Sequence, residues 1–423
     1  MNRPANIAIV PALRSRNYRL FFFGQGVSLI GTWMTQTATI WLVYKLTNSA
    51  LMLGIVGFSS QIPSFFLAVW GGVLVDRFNT HKILVIAQIL AMIQSLALAV
   101  LALSGTIHIW HFIILSLFQG VINAVDAPAR QAFVPEMIEK RNDLASAIAL
   151  NSSLVNGGRL VGPAIAGILI ARIGAAYCFL IDGVSYIAVI AALMAMRLKP
   201  KKIVVTTANP LQRLKEGFVY AYNFSPIRST LLLLALFSLM AMPYITLVPI
   251  FATKILAGDA RTLGLLMAAS GVGAIGGGIY LSTRKTVVGL GKIIALAPAL
   301  CGTGIIFFSL SRMLWLSTLM SALIGLGSIL TISSSNTVIQ TIVEDDKRGR
   351  VMSLFTMSFL GMVPFGNLFA GFSADRIGAT NTLIIGGSFC IIGSLLFAKQ
   401  LPKLRQAARP VLQQRGILSQ TNT

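Results

Sequence analysis

The sequence predicts an all-α membrane protein with about twelve transmembrane helices in two pseudo-symmetric six-helix halves. Three observations carry that expectation. Of 423 residues, 56% are hydrophobic and only 11% are charged, where a soluble domain carries roughly 25% charged residues. Apolar stretches of spanning length, roughly 20 residues each, recur about twelve times between short polar breaks. The segment from Gly162 to Ala175 also returns 204 residues later as Gly366 to Ala379, with Ala166-Gly167 matching Ala370-Gly371 and Arg172-Ile173-Gly174-Ala175 matching Arg376-Ile377-Gly378-Ala379. A repeat at that spacing marks a duplicated six-span unit, and Leu53-Gly54 and Leu263-Gly264 recur in the same sense.

In chain order, span 20–43 follows a basic segment that runs straight into apolar sequence, so it reads as a retained anchor and not a cleaved leader. Gln25, Thr32 and Gln36 fall on one of its faces, beside Trp33. Spans 52–75 and 83–104 flank a tight basic turn, and span 110–128 aligns Gln119, Asn123 and Asp126. Span 144–170 carries closely spaced small residues and Pro163, and span 176–196 carries Asp182. The polar stretch 199–228 joins the halves; Asn209 can cap a helix beginning at Pro210. Leu211, Leu214 and Phe218 share one face of it, which predicts a short amphipathic helix on the cytoplasmic surface with Arg213 and Lys215 toward the headgroups. The second half runs through 229–252, 262–282, 291–310, 314–341, 350–374 and 380–399, with Tyr244 in its first span and Asn336 and Gln340 one turn apart in its fourth. The expected divisions are an N-terminal half 1–198, a linker 199–228, a C-terminal half 229–400 and a tail 401–423.

The net charge of +22 invites a nucleic-acid reading, which the placement of the charges excludes. With both termini on the cytoplasmic side, 27 of the 34 Lys and Arg residues fall in cytoplasmic segments, as the positive-inside rule requires. No aromatic surface interleaves them to stack bases. A multi-pass protein of a bacterial inner membrane is the expectation. Cys178, Cys301 and Cys390 lie in apolar spans and read as packing residues. His81, His108 and His111 lack the further ligands a metal site needs. No phosphate loop, zinc spacing or nucleophile–base pair is present, so the sequence predicts neither an enzyme nor a resident cofactor or metal.

The segment Gly72-Val-Leu-Val-Asp76-Arg77-Phe-Asn-Thr-His81-Lys82 has parts with physical roles. Gly72 permits close helix approach, Asp76 can accept from a neighbouring helix N-terminus, and Arg77 and Lys82 suit the headgroup layer. In span five, Gly158-Arg-Leu-Val-Gly162-Pro163-Ala-Ile-Ala-Gly167 describes a kinked, tightly packed helix. The first segment resembles the loop between helices two and three of the major facilitator superfamily, and the second resembles the Gly-Pro motif of its antiporters. Asn79 stands where that loop has glycine, which the ease with which Asn adopts left-handed backbone would allow, and Thr80 and His81 stand where basic residues are usual. The resemblance implies a conformational latch at Gly72, Asp76, Arg77 and Lys82, with Asp126 and Arg130 close by. Together with Asp126-Ala-Pro128-Ala-Arg130-Gln131 and Arg348-Gly-Arg350-Val-Met-Ser353, it extends to the branch of enterobactin-type siderophore exporters and macrolide efflux pumps.

Ionisable residues inside a bilayer cost about 2.5–3.5 kcal/mol on insertion scales and call for a reason. Arg159 and Asp182 are two such residues, read either as a structural pair or as a proton-coupling site. In the superfamily fold the first, fourth, seventh and tenth helices line the cavity. Gln25, Thr32, Trp33, Gln36, Gln119, Asn123, Tyr244, Asn336 and Gln340 fall on those helices, and interhelical hydrogen bonding is their competing role. The expected function is secondary transport by a monomer embedded in membrane lipid. It would export a small amphipathic molecule, a siderophore or drug-like compound, in exchange for protons. Lysophospholipid movement and metabolite facilitation or import remain open alternatives.

Overall fold

The computed structural model describes residues 11–197, 210–284 and 286–415, and all regular structure there is helical. The first half contains α1 (Arg16–Thr47), α2 (Ala50–Arg77), α3 (Thr80–Leu103), α4 (Ile109–Phe133), α5 (Leu144–Ile173) and α6 (Ala176–Met194). The linker helix α7 (Pro210–Asn223) leads to α8 (Ser225–Met240), α9 (Tyr244–Ile250), α10 (Ala260–Thr283), α11 (Leu290–Leu310), α12 (Leu314–Ile342), α13 (Arg348–Phe359), α14 (Val363–Ile377) and α15 (Ala379–Gln414). Eleven stretches among the described residues are long and apolar enough to cross a bilayer. The twelfth is α1, whose 32 residues suffice in length but include Gln25, Ser28, Thr32, Thr35, Gln36 and Thr37.

Two predicted spans are broken. Span 229–252 divides into α8 and α9 around Pro243, which brings no N–H to the ladder, and α9 runs through Pro249 into a widened turn at Phe251–Ile255. Span 350–374 divides into α13 and α14, with Pro364 in the first turn of α14. The last helix continues past residue 399 to Gln414, so its 36 residues outrun the hydrocarbon, about 30 Å thick.

The chain divides into two compact units: Met1–Leu46 with Ile62–Thr206, and Thr47–Gln61 with Thr207–Thr423. The sequence repeat is a repeat of backbone geometry inside them. Gly174 ends α5 at φ +100°, ψ 162°, and Gly378 ends α14 at φ +87°, ψ 152°, a region only glycine occupies without strain. Helix packing repeats as well. A Cβ on Gly162 of α5 would lie 2.5 Å from Trp33 Cβ of α1, and one on Gly366 of α14 would lie 2.5 Å from the Leu239 carbonyl oxygen of α8. The same offset of 204 residues relates Gly183 of α6, which faces Leu96 of α3, to Gly387 of α15, which faces the Gly302 carbonyl of α11. The start of α2 packs within the second unit, where a Cβ on Gly54 would lie 2.6 Å from the Asn367 carbonyl and 2.9 Å from Gly371 Cα.

Candidate functional site

Asp182 sits on the second turn of α6 and is 2% exposed. Ser95 of α3 donates to its Oδ2 at 2.9 Å while also reaching the Phe179 carbonyl at 3.1 Å. The other oxygen, Oδ1, points toward Gly31 and the Thr35 hydroxyl of α1. No hydrogen bond of normal geometry reaches it among the described residues. Gly31 is what admits the carboxyl: a Cβ there would stand 2.7 Å from Oδ1 and 2.9 Å from Asp182 Cα. Three helices of one unit thus close on a single acid.

Arg159, on α5, meets a different face of α1. Its guanidinium carbon stands 5.9 Å from the centroid of the Trp33 ring, a separation at which a cation is attracted by an indole face. The antiporter-like residues build that contact. Gly158 and Gly162 admit Trp33 against α5, Pro163 and Gly167 are buried, and α5 continues through Pro163 without a break.

Asp126 of α4 forms a second buried cluster. Its Oδ1 accepts from Gln88 Nε2 of α3 at 2.7 Å, and its Oδ2 is ion-paired to Arg130 one turn on. The neighbouring loop differs from its expected geometry. Asn79 is extended, at φ −65° and ψ 111°, and its side chain accepts from Lys82 N at 3.1 Å, so it caps α3 and does not adopt left-handed backbone. His81 is tied to the Leu193 carbonyl at the end of α6, 2.8 Å away. A Cβ on Gly72 would meet no described atom within 4 Å, whereas one on Gly71 would collide with the Ala124 carbonyl of α4. The close approach expected of Gly72 therefore belongs to Gly71, because the face of α2 that meets α4 lies one residue earlier. Asp76 closes the helix next to exposed Arg77, with its side chain outside the described residues, and Lys82 is exposed on α3.

The polar residues expected to line a cavity divide by exposure. Thr32, Gln36, Asn123 and Gln340 are exposed although they sit in spans. Gln119 donates to Asn123 at 3.0 Å on α4, and Gln340 donates to Asn336 at 2.7 Å on α12. Trp33 is half-buried and Gln25 is buried. Tyr244, expected on an aromatic wall, is 2% exposed. Its hydroxyl is 2.7 Å from Ser321 Oγ and its ring stands edge-on to Phe308 at 4.9 Å, so it braces α9 within the second unit. Sequence reasoning passed over Ser95 and Gln88. The available signal was Gln88 and Ser95 seven apart, hence on one face, within a largely apolar α3 that also carries Gln94. Among the described residues no group of three or more His, Cys, Asp or Glu side chains could hold a metal.

The profile of a transmembrane secretion effector family matches residues 8–415. The staphyloferrin A transporter of Staphylococcus aureus is 28% identical, over 92% of this chain and 97% of that relative. Macrolide efflux protein A of Streptococcus pyogenes is 23% identical, over 89% of this chain and 94% of that relative. Among solved structures, a POT family transporter in complex with 5-aminolevulinic acid superposes with a TM-score of 0.73 at 12% identity, covering 92% of this chain and 97% of that one. At that identity the likeness speaks for the fold alone.

Proposed function

Because the chain belongs to the transmembrane secretion effector family of the major facilitator superfamily, and is therefore a multi-pass bacterial membrane transporter of small molecules, we propose that it exports an amphipathic compound in exchange for protons. Siderophores and drug-like molecules are the proposed substrates. The names of the similar proteins, a staphyloferrin A transporter and a macrolide efflux protein, support those two classes.

The observation that carries the coupling is Asp182, a buried acid held by the Ser95 hydroxyl and packed closely against Gly31 and the Thr35 hydroxyl of α1. A carboxyl so placed changes charge only when its surroundings change with it. In the proposed cycle a proton enters from outside and binds Asp182, and the neutral side chain then packs against Gly31 and Ser95. Reorientation to the inner side solvates the carboxyl and releases the proton, while the substrate moves outward by alternating access. One proton in and one substrate out is the simplest stoichiometry. Within the first unit, the exposed polar side chains Thr32, Gln36 and Asn123 supply neutral hydrogen-bonding groups for an amphipathic solute. Arg159 over Trp33 is proposed to position α5 against α1 and not to carry the proton. The excess of basic residues in the segments assigned to the inner side supports cytoplasmic termini.

The test is proton movement in proteoliposomes holding a pH-sensitive dye, challenged in turn with a hydroxycarboxylate siderophore, a macrolide and ethidium. Wild-type protein should move protons with one of these, and Asp182→Asn should abolish that movement while inserting normally. Full proton-linked transport by Asp182→Asn would overturn the assignment of Asp182.

A further inference from the structure

The linker helix α7 has two faces that meet different surroundings. Gly217, Tyr220, Ala221 and Phe224 turn inward. A Cβ on Gly217 would lie 2.9 Å from Arg350 Cβ of α13, Ala221 is 4% exposed, and Glu216 pairs with Arg350 at 2.9 Å. These contacts fix how α7 lies on α13 and the base of α8. The opposite face carries Lys215, Phe218, Val219 and Tyr222. The last three are 60%, 50% and 59% exposed, with the rings of Phe218 and Tyr222 stacked at 6.3 Å. A contiguous aromatic patch open to water on a helix already docked by its other side is a surface awaiting a partner.

The neighbouring side chains identify that partner. Arg228, at the base of α8, places its guanidinium 5.2 Å from the centroid of the Tyr222 ring and donates to the Tyr222 carbonyl at 3.3 Å. One turn along that exposed face is Leu232, 65% exposed on an apolar span, which is a lipid-facing position. The row Leu232, Arg228, Tyr222, Phe218 therefore runs without a break from the hydrocarbon-facing side of α8 onto the outer face of α7. Aromatic rings beside Lys and Arg at the end of a span match the headgroup layer, where the apolar body is buried and the cation meets phosphate.

We propose that the Phe218–Val219–Tyr222 face of α7 docks into the headgroup layer of an anionic bilayer leaflet, held there electrostatically by Lys215 and Arg228. The inference rests on α8 spanning the membrane and is independent of proton coupling at Asp182. Leu211, Arg213 and Leu214, predicted on this helix from the sequence, have side chains outside the described residues.

The test uses the full chain in proteoliposomes. Val219→Cys is labelled with an environment-sensitive fluorophore, and Asn223→Cys, whose side chain lines a cavity of about 490 Å³ with Tyr220, Glu344 and Arg415, serves as the water-facing control. The native cysteines are buried and should stay unlabelled. In vesicles containing phosphatidylglycerol, the label at 219 should be quenched by lipids spin-labelled near the headgroup and protected from aqueous iodide, with the reverse at 223. Arg228→Gln should lower the ratio of docked to undocked helix about fivefold, the equivalent of about 1 kcal/mol for one interfacial charge. Iodide quenching at 219 equal to that at 223 would overturn the proposal. So would protection that persists in detergent together with disulfide-linked dimers of unlabelled Val219→Cys, because the face would then be covered by a second copy. Unaltered docking in vesicles of neutral lipid would overturn the electrostatic part.

Discussion

Replacing Gly162 with Ala tests the helix approach on which the first unit is built. The added Cβ would stand 2.5 Å from Trp33 Cβ, 2.9 Å from the Ile30 carbonyl oxygen and 3.3 Å from Met34 N. Ordinary contact for such pairs is about 3.5–4.0 Å, so a single methyl requires about 1 Å of separation between α1 and α5. Two of the three obstructing atoms are backbone, which no rotamer change relieves, and overpacking of this kind costs about 1–3 kcal/mol. Gly366→Ala is the twin experiment, with clashes of 2.5 Å to the Leu239 carbonyl oxygen and 2.8 Å to Pro243 Cγ. Gly157→Ala is the control, since nothing lies within 4 Å of its Cβ among the described residues. Relief of glycine's backbone entropy should leave that variant neutral or stabilised by about 0.5–1 kcal/mol. Thermal unfolding of detergent-purified protein, followed by size-exclusion recovery, should show both twins melting several degrees below wild type and the control at or above it. Wild-type melting of Gly162→Ala would mean that α1 and α5 do not approach as described.

Three further outcomes follow from the same geometry. Gly174→Ala and Gly378→Ala force a side chain into backbone that glycine alone tolerates, and each should cost about 1–3 kcal/mol in the same unfolding assay. Asp126→Asn leaves the Arg130 guanidinium without its charged partner and should cost about 1.5–3 kcal/mol, with Gln88→Leu costing less; a double-mutant cycle of Asp126→Asn with Arg130→Gln should return a coupling energy clearly above zero. Asp345→Asn removes exposed pairs to Arg348 and Arg415, at 2.5 and 3.1 Å, and should change stability by no more than about 1 kcal/mol at moderate salt.

The helical architecture was legible because hydrocarbon imposes long apolar runs and because the Arg-Ile-Gly-Ala repeat encodes a helix ending that needs glycine. The interruptions were not, since Pro243 and Pro364 in apolar spans are compatible with a kink as well as a break. Asp182 stood out as a charge in apolar sequence. Its partners Ser95 and Gly31 did not, because small and hydroxyl-bearing residues are common in membrane helices and only the packing of α3 and α1 gives these two a role. The shift of the close contact from Gly72 to Gly71 has the same origin: periodicity says that a glycine faces a neighbour, and the neighbour's direction decides which one. Asn79 is visible in the sequence as a departure from a motif, but whether its side chain serves the backbone before or after it depends on local dihedrals that the residue type leaves open.

The glycines set 204 residues apart also bear on what the two halves have in common. Gly162 with Gly366, Gly174 with Gly378 and Gly183 with Gly387 share glycine at the same offset, while many of the residues around them differ between the halves. At these places the protein is defined by volume it must not fill or by a backbone angle only the smallest residue accepts. What the two halves hold in common at these places is therefore an absence of atoms, and the fold is constrained there as firmly by space left open as by side chains that fill it.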